Sequence, residues 1–168
     1  PGNSFKRFCW YFANIIFIKN SFNPFSRLKV IILKIFGAKI GKELVIKPGV
    51  NIKYHWKLTI GDFVWIGENV WIDNLGDIKI YDNVCISQGA MLICGNHNYK
   101  KQTFDLIVKD IILENGVWIG AGAKVCPGVI CSSHSILTLG SVATDNLKRY
   151  TIYSGNPASE IKRRIIES

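Results

Sequence analysis

Three histidines are the side chains of this sequence best suited to proton transfer, and His97 is the strongest candidate among them. It lies in the run Cys94-Gly-Asn-His-Asn-Tyr99, where a regular repeat stops and a surplus segment begins. A histidine side chain gains or loses a proton near neutral pH, so it can take a proton from a hydroxyl or an amine that attacks a carbonyl. The neighbouring glycine and the departing chain favour an imidazole that is held by the repeat yet faces a cleft. We therefore predict that His97 is a general base.

The other two histidines are predicted to have no chemical role. His55 lies between two aromatic residues and is expected to pack at a surface or an interface. His134 follows two serines at an outward position of the repeat and is expected to face solvent. A metal site is the competing use of these side chains, but zinc ligands come in closely spaced groups. No second histidine follows His97 within a few residues, and no cysteine or glutamate replaces it at ligand spacing, so no metal site is predicted.

The cysteines indicate a reducing compartment and hence a cytoplasmic protein. Their number is odd and none forms a C-x-x-C pair. Several occupy repeat positions that need a small apolar residue, so buried free thiols are favoured over disulfides or metal ligands. The five cysteines are Cys9, Cys85, Cys94, Cys126 and Cys131.

The elements that must position His97 follow a six-residue rhythm between Ile40 and about Leu147. This spacing fits neither a helix nor a simple strand, whereas hexapeptide repeats are typical of a parallel β-helix whose coils stabilise one another by stacking. A given wall position returns after 20 residues in the first half and after 18 in the second, which predicts about five coils. The repeated positions are Ile40, Ile46, Ile52, Ile60, Ile66, Ile72, Ile80, Ile86, Leu92, Leu113, Ile119, Val125, Cys131, Leu137 and Ala143.

Breaks in the rhythm locate the irregular parts of the fold. The extra pairs Leu58-Thr59 and Ile78-Lys79 are predicted to lie at corners. Residues 98–112 are surplus to the repeat, and their mixture of polar and apolar side chains predicts an ordered, functional loop. The sequence therefore predicts an all-β domain over residues 40–168, with a protruding loop and a C-terminal tail.

Residues 1–39 differ from the repeat because they are rich in aromatic side chains. Two apolar runs are separated by Asn23-Pro24, and the second run ends at Gly37, as expected for helix boundaries. The first run, residues 8–18, is too short to span a bilayer. We predict two helices that cap the open end of the β-helix and protect its strand edges. A peripheral contact with the anionic inner face of a membrane is a second interpretation, compatible with capping.

The net charge of +9 narrows the classes of partner. No basic helix for a nucleic-acid groove and no base-stacking aromatic pair is present, so we expect no nucleic-acid partner. A phosphorylated small ligand needs only a few cations. Most of the 21 basic residues are expected to lie on a solvated surface.

Several motifs together resemble a known family. The sequence is similar, over almost its whole length, to the hexapeptide-repeat acetyltransferases of colanic acid biosynthesis, within the galactoside and maltose O-acetyltransferase group. The resemblance implies a left-handed parallel β-helix, acetyl-CoA as co-substrate and a homotrimer with active sites between subunits. The motifs that carry it are Phe36-Gly-Ala-Lys-Ile-Gly41, Asn96-His97-Asn98-Tyr99, Thr103-Phe-Asp-Leu-Ile-Val108, Gly116-Val-Trp-Ile-Gly-Ala121 and Tyr153-Ser-Gly-Asn-Pro-Ala158.

The same resemblance implies roles for individual residues. His97 matches the base that deprotonates an acceptor hydroxyl for attack on the acetyl-CoA thioester. Asp73 matches an acidic acceptor-binding residue, although a corner aspartate is the alternative. Further acceptor contacts are implied for Asn74, Asn96 and Tyr99. Contacts with acetyl-CoA are implied for Trp118, Ala121, Gly140, Ser141 and Thr144, with Lys162 near the nucleotide end.

Three functions stay open at the level of the sequence. The first is O-acetylation of a sugar hydroxyl in the biosynthesis of a surface polysaccharide, by direct transfer in a ternary complex. The second is N-acetylation of an amino sugar, which the same base and fold can serve. The third is a non-catalytic β-helix that binds a partner.

Overall fold

The fold is a left-handed parallel β-helix with a helical N-terminal segment, as predicted, in a computed structural model that describes residues 4–167. Three parallel walls enclose one core, and five coils are followed by a C-terminal hairpin on the second wall. The first wall contains β1 (Lys39–Ile40), β4 (Leu58–Ile60), β7 (Ile78–Ile80), β12 (Ile111–Leu113) and β15 (Ile130–Cys131). The second contains β2 (Val45–Ile46), β5 (Trp65–Ile66), β8 (Cys85–Ile86), β13 (Trp118–Ile119), β16 (Ile136–Leu137) and the hairpin β18 (Thr151–Gly155) and β19 (Ala158–Arg163). The third contains β3 (Asn51–Ile52), β6 (Trp71–Asp73), β9 (Met91–Ile93), β14 (Lys124–Val125) and β17 (Val142–Ala143).

The hexad positions point into the core. Ile66, Ile72 and Leu92 are fully buried, and each pairs in register with the equivalent residue of the next coil. The register advances by 20 residues from Ile46 to Ile66, as predicted. Burying one aliphatic side chain per hexad stabilises the stack because each coil shields its neighbour from water.

The predicted corner pairs are wrong. Leu58 and Ile78 are buried, and they begin strands β4 and β7. The additional residues are instead taken up just before these strands, in the first case by a 3₁₀ turn over His55–Lys57. Alternation explains the difference, because an apolar residue two positions before the inward isoleucine extends the strand and its buried face.

The predicted loop is a β-hairpin whose bounds differ from 98–112. Strand β10 (Gly95–His97) pairs antiparallel with β11 (Leu106–Val108), so the excursion begins before residue 98. Ile111 and Leu113 are buried in the first wall, where they pair with Ile78 and Ile80. The chain therefore rejoins the wall before residue 112, since its apolar alternation resumes at Ile111.

The N-terminal segment lies against the first coil. Helix α1 (Ser4–Ala13) continues as a π-helical turn over Asn14–Ile18, and α2 (Ser26–Ile35) follows. The indole N–H of Trp10 donates to the carbonyl of Ile52 at 3.0 Å. None of the helices within residues 4–167 is long and apolar enough to cross a membrane.

Lys29 also joins this cap to the β-helix. Its side chain is fully buried, and its Nζ donates to the carbonyl of Lys47 at 2.9 Å and lies 3.4 Å from that of Ile46. Burial lowers the pKa of Lys29. The ammonium satisfies main-chain oxygens near the end of the stack, which have no preceding coil to bind.

His55 is buried, so its predicted place at a surface is wrong. Its ring centroid lies 4.2 Å from that of Trp10, 4.6 Å from that of Trp56 and 5.2 Å from that of Phe36. Trp10 belongs to α1 and Phe36 directly follows α2, so the cap helices exclude water from the imidazole. Burial, together with the positive charge of Lys6, lowers the pKa of His55 to about 4.

Replacing Trp10 with phenylalanine is expected to lower the free energy of unfolding by about 1–2 kcal/mol, because the buried carbonyl of Ile52 loses its donor. Urea denaturation of the full chain measures this. Tyr11→Phe is the matched control, since the Tyr11 side chain is exposed. Equal losses in the two variants would show that the indole hydrogen bond contributes nothing specific.

Candidate active site

His97 lies on the hairpin that leaves the corner between the third and first walls. Its side chain is exposed, and its Nδ1 lies 2.6 Å from the carbonyl oxygen of Phe104. A carbonyl only accepts, so Nδ1 carries the proton and Nε2 keeps an unshared electron pair. The backbone N–H of His97 also donates to Oδ1 of Asn96 at 2.8 Å. This arrangement can accept a proton at Nε2.

The hairpin is held by polar contacts near its turn. Lys101 forms an ion pair with Asp105 at 2.5 Å, and the Thr103 hydroxyl donates to the same carboxylate at 2.6 Å. The Lys101 and Thr103 hydrogen bonds lower the pKa of Asp105. Tyr99 is 81% exposed, so its hydroxyl is free to meet a ligand or another chain.

Asp73 lies at the same corner as the hairpin. Its carboxylate is mostly buried, and Nζ of Lys53 lies 2.9 Å from its Oδ1. Asp73 pairs in register with Ile93, which is only four residues before His97. Adjacent strands are about 4.8 Å apart, so Asp73 belongs to the rung directly below the strand that leads into the hairpin.

Asn74 serves the wall and not a ligand. It is fully buried, its Oδ1 accepts from the N–H of Tyr54 at 2.9 Å, and its Nδ2 donates to the Tyr54 carbonyl. The predicted acceptor contact of Asn74 is therefore contradicted, because both polar atoms of its amide are bonded to the backbone of Tyr54 in the previous coil.

Cys94 has no features of a nucleophile. It is fully buried, and burial raises the pKa of its thiol to about 11. The thiolate is the reactive form, so Cys94 is unreactive at neutral pH. The imidazole of His97 is therefore the stronger candidate for proton transfer at this corner.

The residues predicted to contact acetyl-CoA lie in several places on the β-helix. Trp118 is on the outside of the second wall, where its indole N–H donates to Ser87 Oγ at 2.9 Å. Ala121 and Gly140 stack at the next corner, joined by a 2.8 Å bond from the Gly140 N–H to the Ala121 carbonyl. Thr144 lies at the far end of β17, at the corner that carries the hairpin.

Ser141 is less accessible than predicted, and Lys162 lies on a different element from the other predicted contacts. Ser141 is buried, and its Oγ accepts from the N–H of Gly155 at 3.0 Å and contacts Thr138 Oγ1 at 2.9 Å. Its side chain therefore stabilises the last coil. Lys162 is exposed on β19, opposite Ile152, at the C-terminal end of the second wall.

Glycines leave a strip of backbone uncovered at the corner of the second and third walls. The sequence analysis predicted Gly140 as a contact there but not Gly122. Gly122 and Gly140 have φ of +64° and +68°, and the space that a Cβ would occupy is empty to 4 Å at both. Glycine both permits this conformation and leaves main-chain groups open to a ligand. The recurrence of glycine at this corner was the available signal for Gly122.

An aromatic and basic groove was also missed. It is a cavity of about 350 Å³ between α1 and the third wall. Tyr54 and Trp56 stack there with ring centroids 4.9 Å apart, and Arg7 lies 5.8 Å from the Tyr54 ring. Lys53 lines the groove and forms an ion pair with Asp73, so it links the groove to the corner at which Asp73 lies. Its residues come from distant segments, which is why no local pattern indicates it.

Sequence comparison decides the family. The chain is 34% identical to the colanic acid biosynthesis acetyltransferase WcaF of Escherichia coli strain K12 over 164 residues, which cover 98% of this chain and 90% of WcaF. The chain belongs to the hexapeptide-repeat acetyltransferase family. No family model matches the sequence. Among residues 4–167, no three His, Cys, Asp or Glu side chains are placed to hold a metal ion.

Solved structures of acetyltransferases have the same fold. VCA0836 of Vibrio cholerae O1 biovar eltor, complexed with acetyl-coenzyme A, has a TM-score of 0.86 at 21% identity and covers 99% of this chain and 93% of its own. Galactoside acetyltransferase in complex with coenzyme A has a TM-score of 0.84 at 21% identity and covers 94% of this chain and 80% of its own.

Proposed function

We propose that the protein transfers the acetyl group of acetyl-CoA to a sugar hydroxyl, with His97 as the general base. The observation that carries this proposal is the bond between Nδ1 of His97 and the Phe104 carbonyl, which leaves Nε2 free to accept a proton. Acetyl-CoA as donor is supported by the complex of VCA0836. A role in surface polysaccharide biosynthesis is supported by the similarity to WcaF.

The reaction needs one base and direct transfer. Nε2 of His97 takes the proton of the acceptor hydroxyl as its oxygen attacks the thioester carbonyl carbon. The tetrahedral intermediate collapses, the carbon–sulfur bond breaks, and the imidazolium returns its proton to the departing thiolate of CoA. No acetylated side chain forms, in keeping with the buried, protonated thiol of Cys94.

We place the acceptor between the groove and the hairpin. The carboxylate of Asp73 can accept hydrogen bonds from sugar hydroxyls, and the ion pair with Lys53 orients it. The aromatic side chains of the groove offer apolar faces on which a sugar ring can lie. Asn96 and Tyr99, on the hairpin, can reach the same acceptor from the other side.

We place the donor along the bare corner strip, with Trp118, Ala121, Gly140 and Thr144 beside its arm and Lys162 near its phosphates. These residues do not converge within one chain. The hairpin also exposes Leu106 and its apolar neighbours. Both features favour a cyclic homotrimer in which the hairpin of one subunit completes the site of the next. The free cysteines favour a cytoplasmic location.

Acetyl-CoA-dependent release of free thiol, measured with a panel of sugars and amino sugars, tests the proposal. Release with a sugar that lacks an amino group, giving a product cleaved by mild alkali as an ester is, supports O-acetylation. An alkali-stable product from amino sugars alone supports N-acetylation. Absence of acetyl-CoA binding by calorimetry would favour the binding module instead.

Replacing Asp73 with asparagine is expected to raise KM for the acceptor by about 10- to 100-fold, because the charge-assisted hydrogen bonds to its hydroxyls are lost. KM for acetyl-CoA should stay within about twofold of the wild type, since Asp73 lies outside the donor strip. Steady-state kinetics with each substrate varied in turn measure both. Asp77→Asn, an exposed carboxylate at the same corner, is the control. A shift in both KM values would contradict the acceptor role.

A further inference from the structure

The outward face of the N-terminal cap, residues 4–36, is apolar. Eight large apolar side chains of this segment expose more than half of their surface, and Phe22 exposes 94%. A shallow apolar groove of about 480 Å³ joins α1 and α2 on this face, with Phe5 on one side and Ile35 on the other. The eight are Phe5, Phe8, Tyr11, Ile16, Phe22, Phe25, Ile31 and Ile35.

Helix α2 exposes large aliphatic side chains although one of its lysines is buried. Lys29 and Leu33 are fully buried, whereas Ile31 and Ile35 are exposed. A helix on a water-facing surface usually has a polar outer face, whereas the outer face of α2 combines two exposed basic side chains with exposed apolar ones. The inner side of α2 contacts the first coil, where Lys29 donates to main-chain carbonyls. The exposed aliphatic residues on its outer side therefore do not pack on the β-helix.

Helix α1 and its π-helical extension are apolar on more than one side. The stripe of Trp10, Asn14 and Ile18 is buried against the β-helix. Phe8 and Phe12, on the outside, pack edge to face at 4.9 Å and remain exposed. A helix that packs on one core has a single apolar stripe, so the additional exposed aromatic side chains fit a second apolar environment.

The cap also carries most of the net charge. Residues 4–36 contain six Lys or Arg and no Asp or Glu, and the net charge of the whole chain is +9. Lys19, Arg27 and Lys34 are exposed among the apolar residues. A second copy of the cap would bring like charges together, whereas anionic lipid headgroups complement them.

We propose that this face of the cap docks on the surface of a membrane that contains anionic lipids, with α1 and α2 lying in the plane of the interface. The aromatic and aliphatic side chains enter the headgroup boundary while the exposed Lys and Arg side chains meet phosphates. The helices do not span the bilayer, because neither is long enough. The inference does not depend on the proposed acetyl transfer.

Co-sedimentation of the full chain with vesicles tests this docking. Binding to vesicles of phosphatidylcholine with phosphatidylglycerol is expected, with at least tenfold weaker binding to phosphatidylcholine alone. Phe5→Ser with Phe22→Ser should weaken binding by at least tenfold. Arg27→Gln with Lys34→Gln should weaken it by about fivefold for each charge. The matched control is Leu139→Ser with Ile165→Ser, two exposed aliphatic side chains remote in sequence from the cap.

The outcomes separate docking from its alternatives. Loss of binding in the cap variants but not in the control, at unchanged urea midpoints, supports docking. If the double apolar variant unfolds more easily, Phe22→Ser alone is used, since that side chain is almost fully exposed. Equal binding by all variants overturns the proposal. The proposal is also overturned if the wild type does not bind vesicles and the cap variants have a lower molar mass by light scattering. That result would assign this face to contacts between copies of the chain.

Discussion

His97→Gln is expected to lower kcat for acetyl transfer by about 10²- to 10⁴-fold, the range that a positioned general base contributes. Glutamine retains hydrogen-bonding capacity but has no site that accepts a proton near neutral pH. Affinity for acetyl-CoA should change little, because the imidazole acts on the acceptor hydroxyl. Single-turnover thiol release and calorimetric titration with acetyl-CoA measure the two quantities separately.

Two control variants sharpen this expectation. His134→Gln removes a histidine that stacks on Tyr150 at 4.8 Å, away from the hairpin, and should leave the rate within about twofold of the wild type. Cys94→Ala should retain activity because its thiol is protonated and buried. A fully active His97→Gln protein, or an inactive Cys94→Ala protein with unchanged stability, would contradict the proposed base.

The second large effect is a loss of stability in acid that depends on His55. Its pKa is about 4 in the folded chain and about 6.5 when unfolded. Between these values the unfolded chain binds the proton and the folded chain does not, so the free energy of unfolding falls as pH decreases from about 6.5 to about 4. Below that range the loss is complete, and it amounts to about 3 kcal/mol from this group.

His55→Phe is expected to remove this part of the pH dependence, because phenylalanine keeps the aromatic packing with Trp10 and Trp56 without a titrating group. Urea unfolding of the two proteins at several pH values between 4 and 8 measures the difference. The wild-type curve should fall relative to the His55→Phe curve as the pH decreases from about 6.5 to about 4, and the two should stay parallel above pH 7. Parallel curves over the whole range would contradict a buried, neutral imidazole.

Much of the β-helix could be predicted because its pattern is local and repeated. Ile66, Leu92 and Val125 each occupy the inward position of a hexad, and all are fully buried. Errors arose where the rhythm is interrupted. The pair Ile78-Lys79 has the alternation of a strand, and it is one, yet a strict count of six placed it at a corner.

The candidate site was only partly predictable, for a different reason. His97 was found because it lies where the repeat stops, and the hairpin does leave the wall beside it. The sequence does not show that the side chains of Asn74 and Ser141 are buried whereas those of neighbouring residues are accessible to a ligand. Both side chains are buried by partners that are distant in sequence, Tyr54 for Asn74 and Gly155 for Ser141.

The sequence by itself therefore determined the stacked coils, the family and the position of His97, since each depends on spacing along the chain. Only the tertiary structure decided which nitrogen of His97 is free, because the Phe104 carbonyl reaches Nδ1 only once β10 and β11 pair. It also decided that His55 is buried and that the cap turns an apolar face outward. Those outcomes depend on how the two helices dock on the first coil, and hydrophobic burial and main-chain hydrogen bonds across distant segments set that docking.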